Sequence, residues 1–196
     1  MNSKAPTRDD LDSPDDLDEL VRRAHEGDGV AFGRLFDRFH VPVLRYLVAR
    51  VADRTAAEDM AAEVFVEVAQ RLPRFRGDGG QFGRWLFTIA RHDIVDVRRA
   101  ARRHTVLPVA QVPDQVAGTD VSDEVVRRLE GQRLARALRN LTNDQRDVVV
   151  LKFAAGLSNP EVAAVLDKPV GAVKSLQHRG LMALRRALEG EEVDSP

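Results

Sequence analysis

Four residues near the end of the chain have side chains suited to reading nucleic acid. Lys174, Ser175, His178 and Arg179 can give hydrogen bonds or positive charge to base edges and phosphates. On a helical wheel with Val173 as reference, Leu176, Gly180, Leu181, Leu184 and Leu188 cluster on a core side, and Ser175, His178, Arg179, Met182 and Arg186 lie opposite, with Lys174 and Arg185 flanking. A basic helical face is by itself an ordinary solvated surface. What precedes it gives it a specific reading. Ser158 can cap a short helix with Glu161 at its third position, the reciprocal capping box, and Pro160 falls in the first turn, where its missing N–H costs nothing. That helix ends near Asp167, a brief turn follows, and a second helix starts around Val170. The pattern is a helix-turn-helix whose second helix is the candidate for the major groove.

Other chemistry finds little support. The five histidines, His25, His40, His92, His104 and His178, are scattered, and none makes a two-histidine metal spacing. With no cysteine there is no thiolate nucleophile, disulfide or thiol redox switch. Gly77-Asp78-Gly79-Gly80 lacks the Lys-Ser/Thr that follows in a phosphate loop. No catalytic residue, metal, cofactor or small-molecule substrate is expected.

The elements that position these residues are helical. Apolar residues make up 43% of the 196-residue chain and aromatics only 5%, with Ala, Val and Leu dominant, which favours helices packed on helices. Helical periodicity begins near Leu17 and breaks at Gly27-Asp28-Gly29. Pro42 is expected in the first turn of a separate helix carrying Val43, Leu44, Leu47, Val48 and Val51. Asp53 or Thr55 caps a long segment from Ala56 to Leu72, stopped by Pro73. A glycine-rich loop over residues 74–81 leads to an amphipathic helix from Phe82 to about Arg103 with a basic end. The expectation is an all-α chain of two small helical domains on a flexible tether: a disordered acidic tail over 1–16, a domain over 17–103, a linker over 104–122, a second domain over 123–188 and an acidic tail over 189–196.

The formal net charge of −1 argues against a nucleic-acid binder only as an average. The acids crowd the two ends, and residues 20–188 carry a formal +8. The acidic tails are expected to limit nonspecific attraction to DNA, and tethered, separated domains to bind DNA weakly when free. The acidic N-terminus does not read as a signal peptide and no stretch approaches a membrane span, so a cytoplasmic location is expected.

Two sets of motifs, in order and with a linker between, resemble the extracytoplasmic-function (ECF) sigma factors of the bacterial sigma-70 family over about residues 17–188. The first set is Ala57-Glu58-Asp59 with Glu63 and Phe65, Phe75-Arg76-Gly77, Trp85-Leu86, Ile89-Ala90-Arg91 and Asp96, similar to region two. The second runs from Leu141 to Val149, then Gly156-Leu157-Ser158 and Val170 to Ser175 with Arg179, similar to region four. The resemblance implies that Glu58, Asp59, Glu63 and Val66 dock on the clamp of the largest subunit of core RNA polymerase. It implies that Arg76, Asp78, Gln81 and Phe82, with Arg91, His92, Arg98, Arg99, Arg102 and Arg103, meet the minus-ten element, the loop capturing a flipped base. It also implies that Lys174, Ser175, His178 and Arg179 meet the minus-thirty-five duplex while this region leans on the flap of the second-largest subunit. Such a protein directs polymerase to specific promoters, helps open them, and is held by an anti-sigma factor, soluble or at the membrane. His92 stands where the family usually has asparagine, Leu176-Gln177 replaces the commoner basic-then-aliphatic order, and Ala172 replaces a frequent threonine. The alternative is a stand-alone helix-turn-helix regulator with an N-terminal sensing or dimerisation domain. An acidic helix, a glycine-rich loop and a basic helix in that order over residues 54–103 favour the sigma reading.

Overall fold

The computed structural model describes residues 14–51, 53–103, 131 and 133–193, with side chains over 17–51, 53–97, 131 and 133–190. Among these, every regular element is helical. Residues 1–13 of the expected tail over 1–16, the linker over 104–122, the start of the second block at 123 and residues 194–196 lie outside the described residues, and residues 14–16, expected in the disordered tail, are helical.

Helix α1 (Pro14–His25) begins about a turn before Leu17 and buries Leu20, Val21 and Ala24. The break after it is sharp because Gly27 takes φ +93°, a conformation that favours glycine. Asp28 then caps α2 (Gly29–Val48), its carboxylate accepting from the N–H of Val30 (2.8 Å) and Ala31 (3.2 Å). The Arg23 guanidinium, 2.9 Å from the same carboxylate, holds the Asp28 acid below its ordinary range, helped by those backbone bonds. Helix α2 corrects one expectation. Pro42 lies inside it rather than opening a new helix. Proline removes one backbone bond there, but Leu35 on one side and Val43, Tyr46 and Leu47 on the other are each 0 or 1% exposed, and that continuous apolar face carries the helix through.

Helix α3 (Arg54–Arg71) is capped by Asp53, which accepts from the N–H of Thr55 at 2.9 Å, and Pro73 ends it in a single 3-10 turn. Helix α4 (Gly79–Arg103) crosses α1 and α3 and places Phe82, Leu86 and Phe87 in the same core. These four helices form the N-terminal unit.

The C-terminal unit is smaller. After a helical segment over 133–139 come α5 (Asn143–Phe153), α6 (Asn159–Leu166) and α7 (Val170–Val193). Thr142 and Gln145 form a second capping box at the start of α5, which sequence reading did not single out. Helix α7 runs past Leu188 to Val193, so Glu189, read as tail, is helical and pairs with Arg185 at 2.6 Å. The two units, expected to stand apart, are packed together: α6 lies against α4, and the start of α5 meets the end of α2.

Candidate nucleic-acid and polymerase interface

The helix-turn-helix is built as its sequence prescribes. The Ser158 hydroxyl accepts from the N–H of Glu161 at 3.4 Å, and the Glu161 carboxylate accepts from the N–H of Ser158 at 2.7 Å. The turn passes through Asp167 in the left-handed region, φ 52°. Glycine at 180 has a packing reason, because a Cβ there would sit 2.9 Å from Cγ2 of Val149 on α5. That close crossing buries Val173 and half-buries Leu176, leaving Lys174, Ser175, His178 and Arg179 together on the exposed side. Leu181, assigned to the core side by the wheel, is instead 38% exposed.

The second basic site gathers around the start of α4. Arg74, Arg76 and Arg84, with Phe75, Gln81, Trp85, Thr88 and Ala164, line an open cavity of about 470 Å³. The rings of Phe75 and Trp85 lie 4.7 Å apart at 34°, and Trp85 packs half-buried against the core while still lining this cavity. Guanidinium groups beside a partly open aromatic wall suit a nucleobase with its phosphate. The glycine-rich loop is shorter than expected, because Gly79, Gly80 and Gln81 already belong to the first turn of α4. Two carboxylates hold that turn. Asp78 accepts from the N–H of Gln81 at 2.8 Å, and Asp18 of α1 accepts from the N–H of Gly79 at 2.6 Å. A Cβ at Gly79 would lie 2.7 Å from the Asp18 backbone nitrogen, which explains the glycine. Arg76 lies 3.2 Å from the His25 ring, so α1 braces the loop at two points.

The expected minus-ten residues therefore divide. Arg76, Asp78, Gln81 and His92 are exposed. Phe82 is 0% exposed and packs against Phe39 and Phe75, so the structure corrects it from a DNA contact to a core residue behind the loop. Arg91 is half-buried, with its Nε buried and without a hydrogen-bond partner. Arg98, Arg99, Arg102 and Arg103 fall on the last turns of α4, where side chains lie outside the described residues. Sequence reading did not bring Arg74 and Arg84 to the site. They join it across a 3-10 turn and a helix start, a separation with no periodic signal.

The third surface is acidic. Glu58, Asp59, Glu63 and Val66 all face outward from α3, with Val66 57% exposed. A shallow cleft of about 410 Å³ runs between Ala62, Glu63, Val66, Glu67, Gln70 and Arg71. Glu58 pairs with Arg54 (2.9 Å) and Glu67 with Arg71 (2.8 Å). Asp93 approaches from α4, and its acid is pushed up, first by burial and then by the charges of Glu67, Glu63 and Asp96. Like charges crowded around one apolar valine do not stabilise the fold. They suit a basic partner surface with an apolar centre.

Comparison with known proteins matches these two units separately. The family model for sigma-70 region 2 matches residues 35–104, and that for sigma-70 region 4 matches residues 131–184. The chain is 37% identical over 171 residues to the ECF RNA polymerase sigma factor BldN of Streptomyces coelicolor, and 35% identical over 179 residues to the ECF RNA polymerase sigma factor ShbA of Streptomyces griseus. The chain belongs to the ECF sigma factors of the sigma-70 family. The BldN match covers 87% of this chain and 65% of BldN, and the ShbA match covers 87% of this chain and 94% of ShbA. Among solved structures, CnrH in complex with the cytosolic domain of CnrY aligns with TM-score 0.69 and 28% identity over 92% of this sigma chain and 100% of that one. The region 2 match begins at 35, so the α1 brace behind the loop lies ahead of it. Among the described residues, no helix is long and apolar enough to cross a membrane.

Proposed function

We propose that this chain is an alternative sigma subunit: it binds core RNA polymerase, directs it to particular promoters and helps open them. The observation that carries the reading is the pairing of two nucleic-acid surfaces of different kinds in one chain. One is a capped helix-turn-helix presenting Lys174, Ser175, His178 and Arg179; the other is an arginine-aromatic cavity at the start of α4. The exposed α7 face suits duplex major groove near minus thirty-five. The cavity suits an unstacked base, whose Watson–Crick edge is available only once it leaves the helix, near minus ten. Residues 91–103 supply charge for the adjoining phosphates.

The acidic face around Glu58, Asp59, Glu63 and Val66 takes the clamp of the largest polymerase subunit, and the C-terminal unit leans on the flap of the second-largest. Bond-forming chemistry belongs to the polymerase, and this chain contributes recognition and strand capture without a cofactor or small-molecule substrate. A protein antagonist fits the same reading. CnrH was solved with the cytosolic domain of CnrY, and the Bartonella quintana sigma factor RpoE, 25% identical with TM-score 0.61, was solved with the anti-sigma factor NepR. An anti-sigma factor would cover the polymerase-binding faces and keep this chain cytoplasmic or at the membrane. The stand-alone regulator is disfavoured, because the N-terminal unit matches region 2 rather than a sensing domain. A core polymerase pull-down followed by run-off transcription tests the proposal. The expected result is a stoichiometric complex and a promoter-dependent transcript; a chain that ignores core enzyme and binds duplex operator alone would overturn it.

A further inference from the structure

Helix α1 holds the loop beside the arginine-aromatic cavity by two residues on one face. Asp18 and His25 are two helical turns apart, so both side chains leave α1 on the same side, about 10 Å from each other along its axis. Asp18 takes the Gly79 N–H at 2.6 Å and His25 meets Arg76 at 3.2 Å, which fixes the loop at both ends. Between them a Cβ at Gly77 would lie 2.7 Å from Cζ of Phe75, so the loop is folded tightly on itself.

The bond to Arg76 has only one direction. A guanidinium offers hydrogens and no lone pair, so Nη1 of Arg76 donates and Nε2 of His25 accepts, which places the imidazole proton on Nδ1. The second hydrogen of Nη1 goes to the Phe75 carbonyl at 3.1 Å. The protein thus occupies Nη1 and leaves the Nε–Nη2 edge, which fits a phosphate with two parallel bonds, for the cavity that Arg76 lines. Arg76 also keeps its charge. Other arginines of the chain are held by acids: Arg22 by Glu19 and Glu26, Arg54 by Glu58, Arg71 by Glu67, and Arg50 by Asp147 at 3.1 Å across the contact between the two units. A carboxylate in place of His25 would orient Arg76 equally well but cancel the charge that a phosphate needs. A neutral imidazole orients it and cancels nothing.

We propose that His25 is a positioning residue for strand capture: through its Nε2 acceptor it aims the remaining edge of Arg76 at a backbone phosphate of the unpaired strand. The proposal rests on the sigma reading for the identity of that strand. A protonated imidazole cannot accept from Arg76 and stands beside it as a like charge. The acids on the elements around His25 are already committed: Glu26 of its own helix to Arg22 (2.6 Å), Asp28 at the start of α2 to Arg23 (2.9 Å) and Asp78 of the loop to the Gln81 N–H (2.8 Å). Arg74 of the 3-10 turn and Arg84 of α4 add only like charge to this side of the unit. Strand capture therefore weakens as pH falls and imidazole takes its proton, the reverse of what added positive charge does for DNA binding in general.

The test uses holoenzyme assembled from the full chain and core polymerase, with a fluorescent single-stranded oligonucleotide of non-template minus-ten sequence as the probe. His25→Gln keeps an acceptor that does not titrate, and His25→Lys sets a permanent positive charge beside Arg76. At about pH 8, His25→Gln should bind the probe as the parent does. His25→Lys should bind it roughly fivefold more weakly, with an unchanged affinity for a minus-thirty-five duplex. In an Arg76→Ala background the two His25 variants should bind the probe alike. Between about pH 8 and about pH 5.5 the parent should lose affinity relative to His25→Gln by a similar factor, a ratio from which the titration of His92 and His178 cancels. Probe binding by His25→Lys as tight as that of His25→Gln, or a weakening that persists without Arg76, would overturn the proposal. Long-range nitrogen–proton NMR of the free chain decides the bond without polymerase: the parent should show the Nδ1–H tautomer of His25, and an Nε2–H tautomer would overturn the proposal. A parent chain that fails to form holoenzyme would instead refute the sigma reading, and the tautomer would still decide the role of His25.

Discussion

The N-terminal unit and the C-terminal unit solve the same problem with different means. The first has long helices and an aromatic interior, in which Tyr46, Phe82 and Phe87 are all fully buried and Phe39 and Phe75 pack edge to face or tilted on Phe82. Its surfaces are therefore free to be unfavourable, and they are: acids crowd Asp93, and arginines crowd one cavity. Among the described residues, the second buries no aromatic side chain and packs mainly Val, Leu and Ala on short helices. It holds those helices with two capping boxes, a left-handed turn at Asp167 and the close crossing at Gly180. One unit tolerates repulsive surface because its core is large, and the other presents a plain basic face because its stability sits in caps and turns.

Substitutions that attack each unit by its own means separate the two accounts. Phe82→Ala should cost about 3–5 kcal/mol, because a fully buried ring leaves a cavity between α2 and α4; hydrogen exchange should show α1 to α4 losing protection before α5 to α7. Gly180→Leu should cost about 1–3 kcal/mol by driving a side chain into Val149. Its signature is loss of binding to a minus-thirty-five duplex, with core polymerase association retained. Ser158→Ala should cost about 1 kcal/mol through the lost cap, read as a lower urea midpoint for the C-terminal unit alone.

The smallest effect has the opposite sign. Asp93 has its acid raised in the folded chain, so its contribution to stability is present below the unfolded value, near 3.9, and is lost as pH rises through the folded value. At neutral pH the charged group works against the fold. Asp93→Asn should therefore stabilise by a few tenths of a kcal/mol after solvent screening, measured as a raised melting temperature at pH 7 that vanishes at pH 3.5. A loss of stability at pH 7 would mean that Glu63, Glu67 and Asp96 do not crowd it.

Much of this was legible in residue order. The Ser158/Glu161 cap, the turn at Asp167 and the outward set Lys174, Ser175, His178 and Arg179 are local and periodic, and the structure places them as read. Local signals also misled. Pro42 reads as a helix start, and only the burial of Val43, Tyr46 and Leu47 by other helices shows why α2 continues. Phe82 belongs to the apolar stripe that periodicity marks on α4, and only the family resemblance makes it a contact; the ring is buried against Phe39 and Phe75. The packing of one unit on the other was not legible, because Arg50 and Asp147 are nearly a hundred positions apart and each alone looks like a surface charge. A hint was present in an acid leading the apolar run Val148 to Leu151, a place where a charge needs a partner.

The division of labour between the units is tested most directly by assaying core association and run-off transcription on the same samples for two variants. Glu63→Lys, on the acidic α3 face, should weaken core association about tenfold or more, and transcription should fall with it. Arg179→Ala, on the exposed face of α7, should leave core association intact and reduce only minus-thirty-five-dependent transcription. Loss of core association in Arg179→Ala, or full core association in Glu63→Lys, would contradict the assignment of the polymerase to one unit's acidic face and the duplex to the other's basic helix.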